Sequence, residues 1–313
     1  MLKNILKLSL ALIVIASIAF SVFWFTRPAD VSFQEVRASV PYGEFSHFTE
    51  IDGVRVHYQE KGEGTPLILV HGFTSSTYTW KDVFEPLSRT FRVIAVDLKG
   101  FGFSGKSDGD YTKRAQAQLV VHLLDDLKIE KAWLVGNSMG GEVALNVALA
   151  NPQRVAGLIL VDSAGVAVAG GSSLAPAYVR LPFVGRALIA LALRSDKLVR
   201  EGLEKSFYDD SKVTEDRVAH YYLPLRTRGG QLAALRVRQQ WDQFPIEGDL
   251  SKVNARTLII WGADDALIPL VAGRTMNSLI KNSKLVIFDK CGHLPQEEMP
   301  ERVLDEVRSF IGK

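Results

Sequence analysis

The chain has 313 residues, 47% of them hydrophobic, and a formal net charge of +2, enough to bury a large core as one domain carrying an insertion. Near-balanced charge, with no basic run interleaved with aromatics, excludes a dedicated nucleic-acid surface. The single cysteine, Cys291, excludes an internal disulfide framework and a cysteine-based zinc cluster within the chain.

Residues 8–25 contain no charge; Lys3 and Lys7 precede them, and Arg27 and Pro28 follow. That length suffices to cross a bilayer, and Trp24 stands where an interfacial aromatic belongs. The expectation is an uncleaved membrane anchor over residues 1–27 with the remaining chain on the non-cytoplasmic side; the alternative is a signal peptide cleaved near Ser17-Ile18-Ala19. Residues 28–44 are polar, carry Pro28, Pro41 and Gly43, and read as a linker.

Residues 45–51 and 54–59 alternate about Asp52-Gly53, the pattern of a hairpin. Residues 66–70 form a continuous apolar run, the signature of a parallel strand buried on both faces, and lead into His71-Gly72-Phe73. A short helix is expected over 80–87, a strand over 91–96, and then the loop Asp97 to Ser104, whose pattern is DxxGxGxS. No GxGxxG opens a helix and no phosphate-loop lysine follows, so this loop is not a nucleotide site. Residues 111–127 read as an amphipathic helix and 132–135 as a strand. Next come Gly136-Asn137-Ser138-Met139-Gly140 and a helical run closed by Asn151-Pro152. Another buried strand covers 155–161. Strands alternating with helices specify an α/β class with a doubly wound, mostly parallel sheet, whose ligands collect at the carboxyl ends of the strands.

From about residue 166 to residue 250 the strand rhythm stops. Gly170-Gly171-Ser172-Ser173 reads as a hinge and the remainder as helical. Residues 180–194 are apolar with arginines at intervals, which suits either a cap helix packed on the core or a surface resting on lipid headgroups. Phe183, Phe207 and Trp241, with Tyr178, Tyr221 and Tyr222, are candidate walls of an apolar pocket; simple packing is the other reading of each. A strand over 256–261 then ends in Gly262-Ala263-Asp264-Asp265, a last strand over 285–288 leads to Cys291-Gly292-His293, and Pro300 opens a terminal helix.

A serine on a sharp strand-to-helix turn, flanked by Gly136 and Gly140, is the GxSxG nucleophile elbow, and here the sequence resembles the α/β-hydrolase superfamily. The resemblance implies an α/β-hydrolase core over 45–165 and 251–313, with a helical cap, 166–250, inserted after the sixth core strand. It implies Ser138 as nucleophile and the backbone N–H groups of Phe73 and Met139 as the oxyanion hole, aimed where a tetrahedral intermediate carries its charge. The family's GxxD loop, followed by a proline four residues on, selects Asp265 as the acid and leaves Asp264 as its neighbour. His293 is the base, by its place after the final strand and because the other histidines lie in the hairpin, on a helix, in the cap or, for His71, in the oxyanion loop that it shapes. Imidazole would take the serine proton as attack begins, and Asp265 would orient the ring.

No metal or organic cofactor is required by that chemistry. Serine at 138 argues against the dehalogenases and epoxide hydrolases of the fold, which use aspartate there. The sequence most resembles esterases and monoacylglycerol lipases, so the expectation is a membrane-tethered enzyme acting on apolar acyl esters or lipids. The GNSMG elbow also resembles the C–C hydrolases of ring-fission products, which carry tryptophan after the catalytic histidine where this chain has Leu294. A binding module that kept the fold without the chemistry is the remaining alternative.

Overall fold

The computed structural model describes residues 14, 17, 21, 29–167, 195–240 and 246–312. Eight strands form one sheet in the order β1-β2-β4-β3-β5-β6-β7-β8. The hairpin β1 (Ser46–Ile51) and β2 (Val54–Lys61) supplies the antiparallel edge, with Ile51 opposite Val54. Its turn works because Asp52 and Gly53 both take positive φ, 50° and 72°, as a tight two-residue turn requires. The other strands, β3 (Pro66–Val70), β4 (Arg92–Val96), β5 (Ala132–Asn137), β6 (Val155–Val161), β7 (Thr257–Gly262) and β8 (Ser283–Phe288), run parallel to one another.

The period of two along these strands divides the core. Ile68, Val70, Ile94, Val96, Leu134 and Leu160 face one side, where α3 (Lys113–Asp126) and α4 (Met139–Ala150) pack. Leu67, Leu69, Val93, Val135, Val161 and Ile260 face the other, against α2 (Lys81–Ser88) and α10 (Pro300–Ile311). Burial on both faces is why these strands read as unbroken apolar runs rather than alternating ones. Thr112 caps α3 by accepting from the Ala115 N–H at 3.3 Å, and Pro300 opens α10 where its missing N–H costs nothing.

Between β6 and β7, at the expected place for a cap, lie α5 (Lys197–Ser206), α6 (Glu215–Tyr222) and α7 (Gly230–Gln239). After β7 come α8 (Leu270–Leu279) and, after β8, the short α9 (Pro295–Glu298). The stretch 180–194, with Phe183, and residue Trp241 lie outside the described residues.

Two expectations at the amino terminus change. Residues 33–36, expected within a linker, form a short helix, α1 (Phe33–Val36), whose Phe33 is buried against Phe48, His57 and Phe103. The membrane anchor, the non-cytoplasmic placement and the membrane as partner are not upheld. Among the described residues no helix is long and apolar enough to cross a membrane. The longest, α3, has 14 residues, roughly 21 Å at 1.5 Å per residue against the roughly 30 Å of a bilayer core. Apart from Val14, Ser17 and Ser21, residues 8–25 themselves lie outside the described residues.

Candidate active site

β5 ends at Asn137, and α4 begins at Met139. Ser138 between them is held at φ 54° and ψ −121°, a sparsely populated conformation that costs a side-chain-bearing residue on the order of 1–3 kcal/mol. The surroundings fix it there: the Ser138 N–H donates to Val161 O at 3.0 Å, and its carbonyl accepts from the N–H groups of Gly141 and Ala164 at 3.0 and 2.9 Å. Close approach explains Gly140, because a Cβ would collide with the Val70 carbonyl and lie 2.6 Å from His71 O. Helix α4 can therefore start directly against the end of β3. Ser138 remains partly exposed.

The loop after β3 reaches the same point. A Cβ on Gly72 would lie 3.1 Å from Ser138 Cβ, so the Gly72-Phe73 backbone passes beside the serine. His71 shapes this loop, as expected: one ring nitrogen accepts from the Leu98 N–H at 3.1 Å and the other donates to Gly72 O at 2.7 Å. Complete burial disfavours its charged form and lowers its pKa, which matches a neutral ring with one donor and one acceptor. Met139 is the first residue of α4, where backbone N–H groups lack intrahelical partners and the helix dipole is positive. Phe73 stacks edge-on to Phe101 at 5.9 Å.

His293 and Asp265 come together across two loops. The His293 Nδ1 lies 2.7 Å from Asp265 Oδ2, and both residues are buried. Asp265 Oδ1 accepts from the Leu267 and Ile268 N–H groups at 2.7 and 3.0 Å. Burial opposes the Asp265 charge, yet His293 and those two amides hold its carboxyl below the ordinary range. Asp264, the neighbour, does not enter this pair: its backbone N–H bonds to Cys291 O at 3.0 Å.

Asn137 joins the two halves. Its buried amide donates to Val161 O and to His293 O, both at 3.1 Å, so the residue before the serine holds the backbone of the histidine. Glu298 holds the other side of that loop, accepting from the N–H groups of Gly292 at 2.5 Å, Tyr208 at 3.0 Å and Asp209 at 3.2 Å. The His293 N–H donates to Ser206 O at 2.6 Å, at the end of cap helix α5. Neither Asn137 nor Glu298 stood out in the sequence, although a polar residue ending an apolar strand and a carboxylate pair four and five residues after the histidine were both visible there.

Of the expected pocket walls, Phe207 packs with Tyr78, Leu203, Val218, Tyr221 and Leu294 in a small cluster beneath the cap, with the Arg217 guanidinium 4.8 Å over its ring. Asp162, Asp265 and His293 have ligand atoms within 4.8 Å of one another. A metal would have to break the Asp265–His293 hydrogen bond to use them, so these residues fit an acid–base assembly better than a cation site.

The family model described as alpha/beta hydrolase fold matches residues 65–300. A 2-hydroxymuconate semialdehyde hydrolase of Pseudomonas putida is 32% identical over 83% of this chain and 92% of its own length. The meta-cleavage product hydrolase CumD from Pseudomonas fluorescens IP01 superposes with a TM-score of 0.74 at 30% identity, covering 86% of this chain and 98% of its own. A membrane phospholipase A, described as a bacterial virulence factor, superposes with a TM-score of 0.73 at 27% identity, covering 98% of each chain.

Proposed function

The chain belongs to the alpha/beta hydrolase fold family, and from that premise we propose that it is a serine hydrolase that breaks a bond to a carbonyl carbon. The bond is in the first place the carbon–carbon bond of a ring-fission dienoate. The observation that carries the hydrolase reading is the buried 2.7 Å contact between His293 and Asp265, tied by Asn137 to the turn that presents Ser138. The choice of bond rests on the curated relative and on CumD, each about 30% identical over most of the chain.

In this reading Ser138 Oγ bonds to the substrate carbonyl carbon while its proton passes to the His293 ring nitrogen that faces away from Asp265. The carbonyl oxygen takes negative charge and receives the N–H groups of Met139 and Phe73. With the substrate in its keto tautomer, in which the carbon beside the scissile bond is tetrahedral, collapse expels that carbon, its electron pair delocalises into the adjoining enone as a dienolate, and the His293 proton goes to that fragment. Water then attacks the acyl-enzyme by the same route, returning the proton to Ser138. Asp265 stays ionised throughout and stabilises the imidazolium.

One observation favours a second reading, ester cleavage. Leu294 follows His293 where C–C hydrolases carry tryptophan, and it is packed beneath the cap with Phe207; an esterase needs no aromatic there. The expected lipid or apolar acyl ester partner is not upheld, because the relatives about 30% identical to this chain are named for ring-fission products. The same panel tests both: turnover of a ring-fission dienoate, p-nitrophenyl esters of graded chain length, and monoacylglycerols. Dienoate cleavage at a kcat/KM above that for every ester supports the first reading. Ester turnover with no dienoate cleavage overturns it in favour of the second.

A further inference from the structure

Asp162 follows β6 directly and is completely buried beside the acid–base pair. One oxygen, Oδ1, accepts from the Gly262 N–H at 3.0 Å. The other, Oδ2, is buried with no hydrogen-bond partner among the described residues. Its surroundings explain why no donor is needed. The ligand atoms of Asp162, Asp265 and His293 lie within 4.8 Å of one another, so two carboxyl groups share one small space with a single imidazole.

Two adjacent buried carboxyl groups do not both ionise, and the proton goes to the one with the poorer set of donors. Asp265 has two backbone N–H groups and His293; Asp162 has one N–H. The other titratable groups facing Asp162 are Glu298 and Cys291, which bring no positive charge; Lys212 lies beyond, on the Glu298 carbonyl.

We propose that Asp162 is held as the neutral acid and donates a hydrogen bond from Oδ2 to the Asp265 carboxylate, making it a positioning residue for the acid of the site. Burial, and then the charge of Asp265, push the Asp162 carboxyl well above its ordinary value, in the same direction. The inference rests on Asp265 serving His293 as its acid. The bond holds the Asp265 carboxylate in place beside His293 and draws charge from it, so Asp265 holds the imidazolium of the working enzyme less tightly than an unpaired carboxylate would. No proton leaves Asp162 during turnover.

Three variants and one spectrum test this. Asp162→Ala removes the donor, so kcat falls and the acidic limb of the kcat/KM profile moves to higher pH. Asp162→Asn keeps an N–H toward Asp265 and an oxygen toward Gly262, so it rescues activity and leaves that limb in place. Were Asp162 ionised, removing its charge near His293 would instead move the limb down by about one unit or more, which would overturn the proposal. The infrared difference between wild type and Asp162→Asn at neutral pH should contain one protonated-carboxyl C=O band, read without any turnover. Its absence also overturns the proposal. Ser138→Ala separates the two levels: if it leaves activity intact, the serine reading fails while the carboxyl band stands or falls by itself.

Discussion

Asn137→Ala is the sharpest perturbation of the connection between nucleophile and base. The amide donates to Val161 O and His293 O, both at 3.1 Å, in a buried position where water cannot replace it. Val161 O keeps its bond from the Ser138 N–H, so the variant strands one carbonyl, that of His293, at a cost of about 1–3 kcal/mol. At about 2–4 °C per kcal/mol for a domain of this size, the melting midpoint should fall by about 2–12 °C. Released from its tether, the His293 loop shifts relative to Ser138, and a displacement of about 1 Å lowers the rate about 100-fold. A fluorophosphonate reacts with an activated serine without needing the natural substrate. The assay is therefore its inactivation rate, measured at a temperature where the variant is folded. Asn137→Asp should be worse than alanine at neutral pH, because a carboxylate oxygen would face two carbonyl oxygens, and should recover as acid restores a donor. An Asn137→Ala variant that melts and reacts like wild type would refute the reasoning.

Gly140→Ala drives a Cβ into the Val70 and His71 carbonyls; it should lower stability by about 1–3 kcal/mol or more and suppress fluorophosphonate labelling, checked by calorimetry and intact mass. Glu297 ties the core to the cap, accepting from Thr79 Oγ1 at 2.7 Å and from the Tyr221 hydroxyl, with Arg217 Nε 2.9 Å away. Glu297→Ala takes from the buried guanidinium its nearer carboxylate and leaves it Asp82 Oδ2 at 3.8 Å, so the loss should stay below the about 3–5 kcal/mol of a fully stranded buried charge; adding Arg217→Ala should recover part of it in a double-mutant cycle, and strict additivity would contradict the pairing. Asp97, which burial alone would raise, is held down to about 2 by His57, 2.6 Å away. A depressed carboxyl stabilises the fold above its unfolded value of 3.8 and loses that contribution as pH falls through about 2. Urea midpoints should therefore drop more steeply for wild type than for Asp97→Asn over that window, and parallel curves would count against the pair.

The features legible in sequence were those written in a few consecutive residues. Asp52-Gly53 specified the hairpin because both positions need positive φ, and the doubly buried strands announced themselves as apolar runs. The crowding that requires glycine at 140 made the elbow readable, and the cap fell where the strand rhythm stopped. What stayed hidden was pairing across long separations. The bond from Asn137 to His293 spans 156 positions, and no local pattern encodes it. Asp162 carried no signal in the sequence because its apposition to Asp265 exists only once β6 and β7 lie side by side. The helix at Phe33 is a different case. Ser32 and Glu35 hydrogen-bond at 2.7 Å in the spacing of a capping box, a signal present in the sequence and outweighed by the polar character of its neighbours.

The most direct measurement is intact mass and peptide mapping after fluorophosphonate treatment of the folded protein, wild type beside Ser138→Ala. One adduct, on the peptide that contains Ser138 and absent from the variant, is the expected result. A folded wild-type protein that takes no label, or a label that survives Ser138→Ala, would contradict the assignment of that serine and favour a binding module with a hydrolase fold.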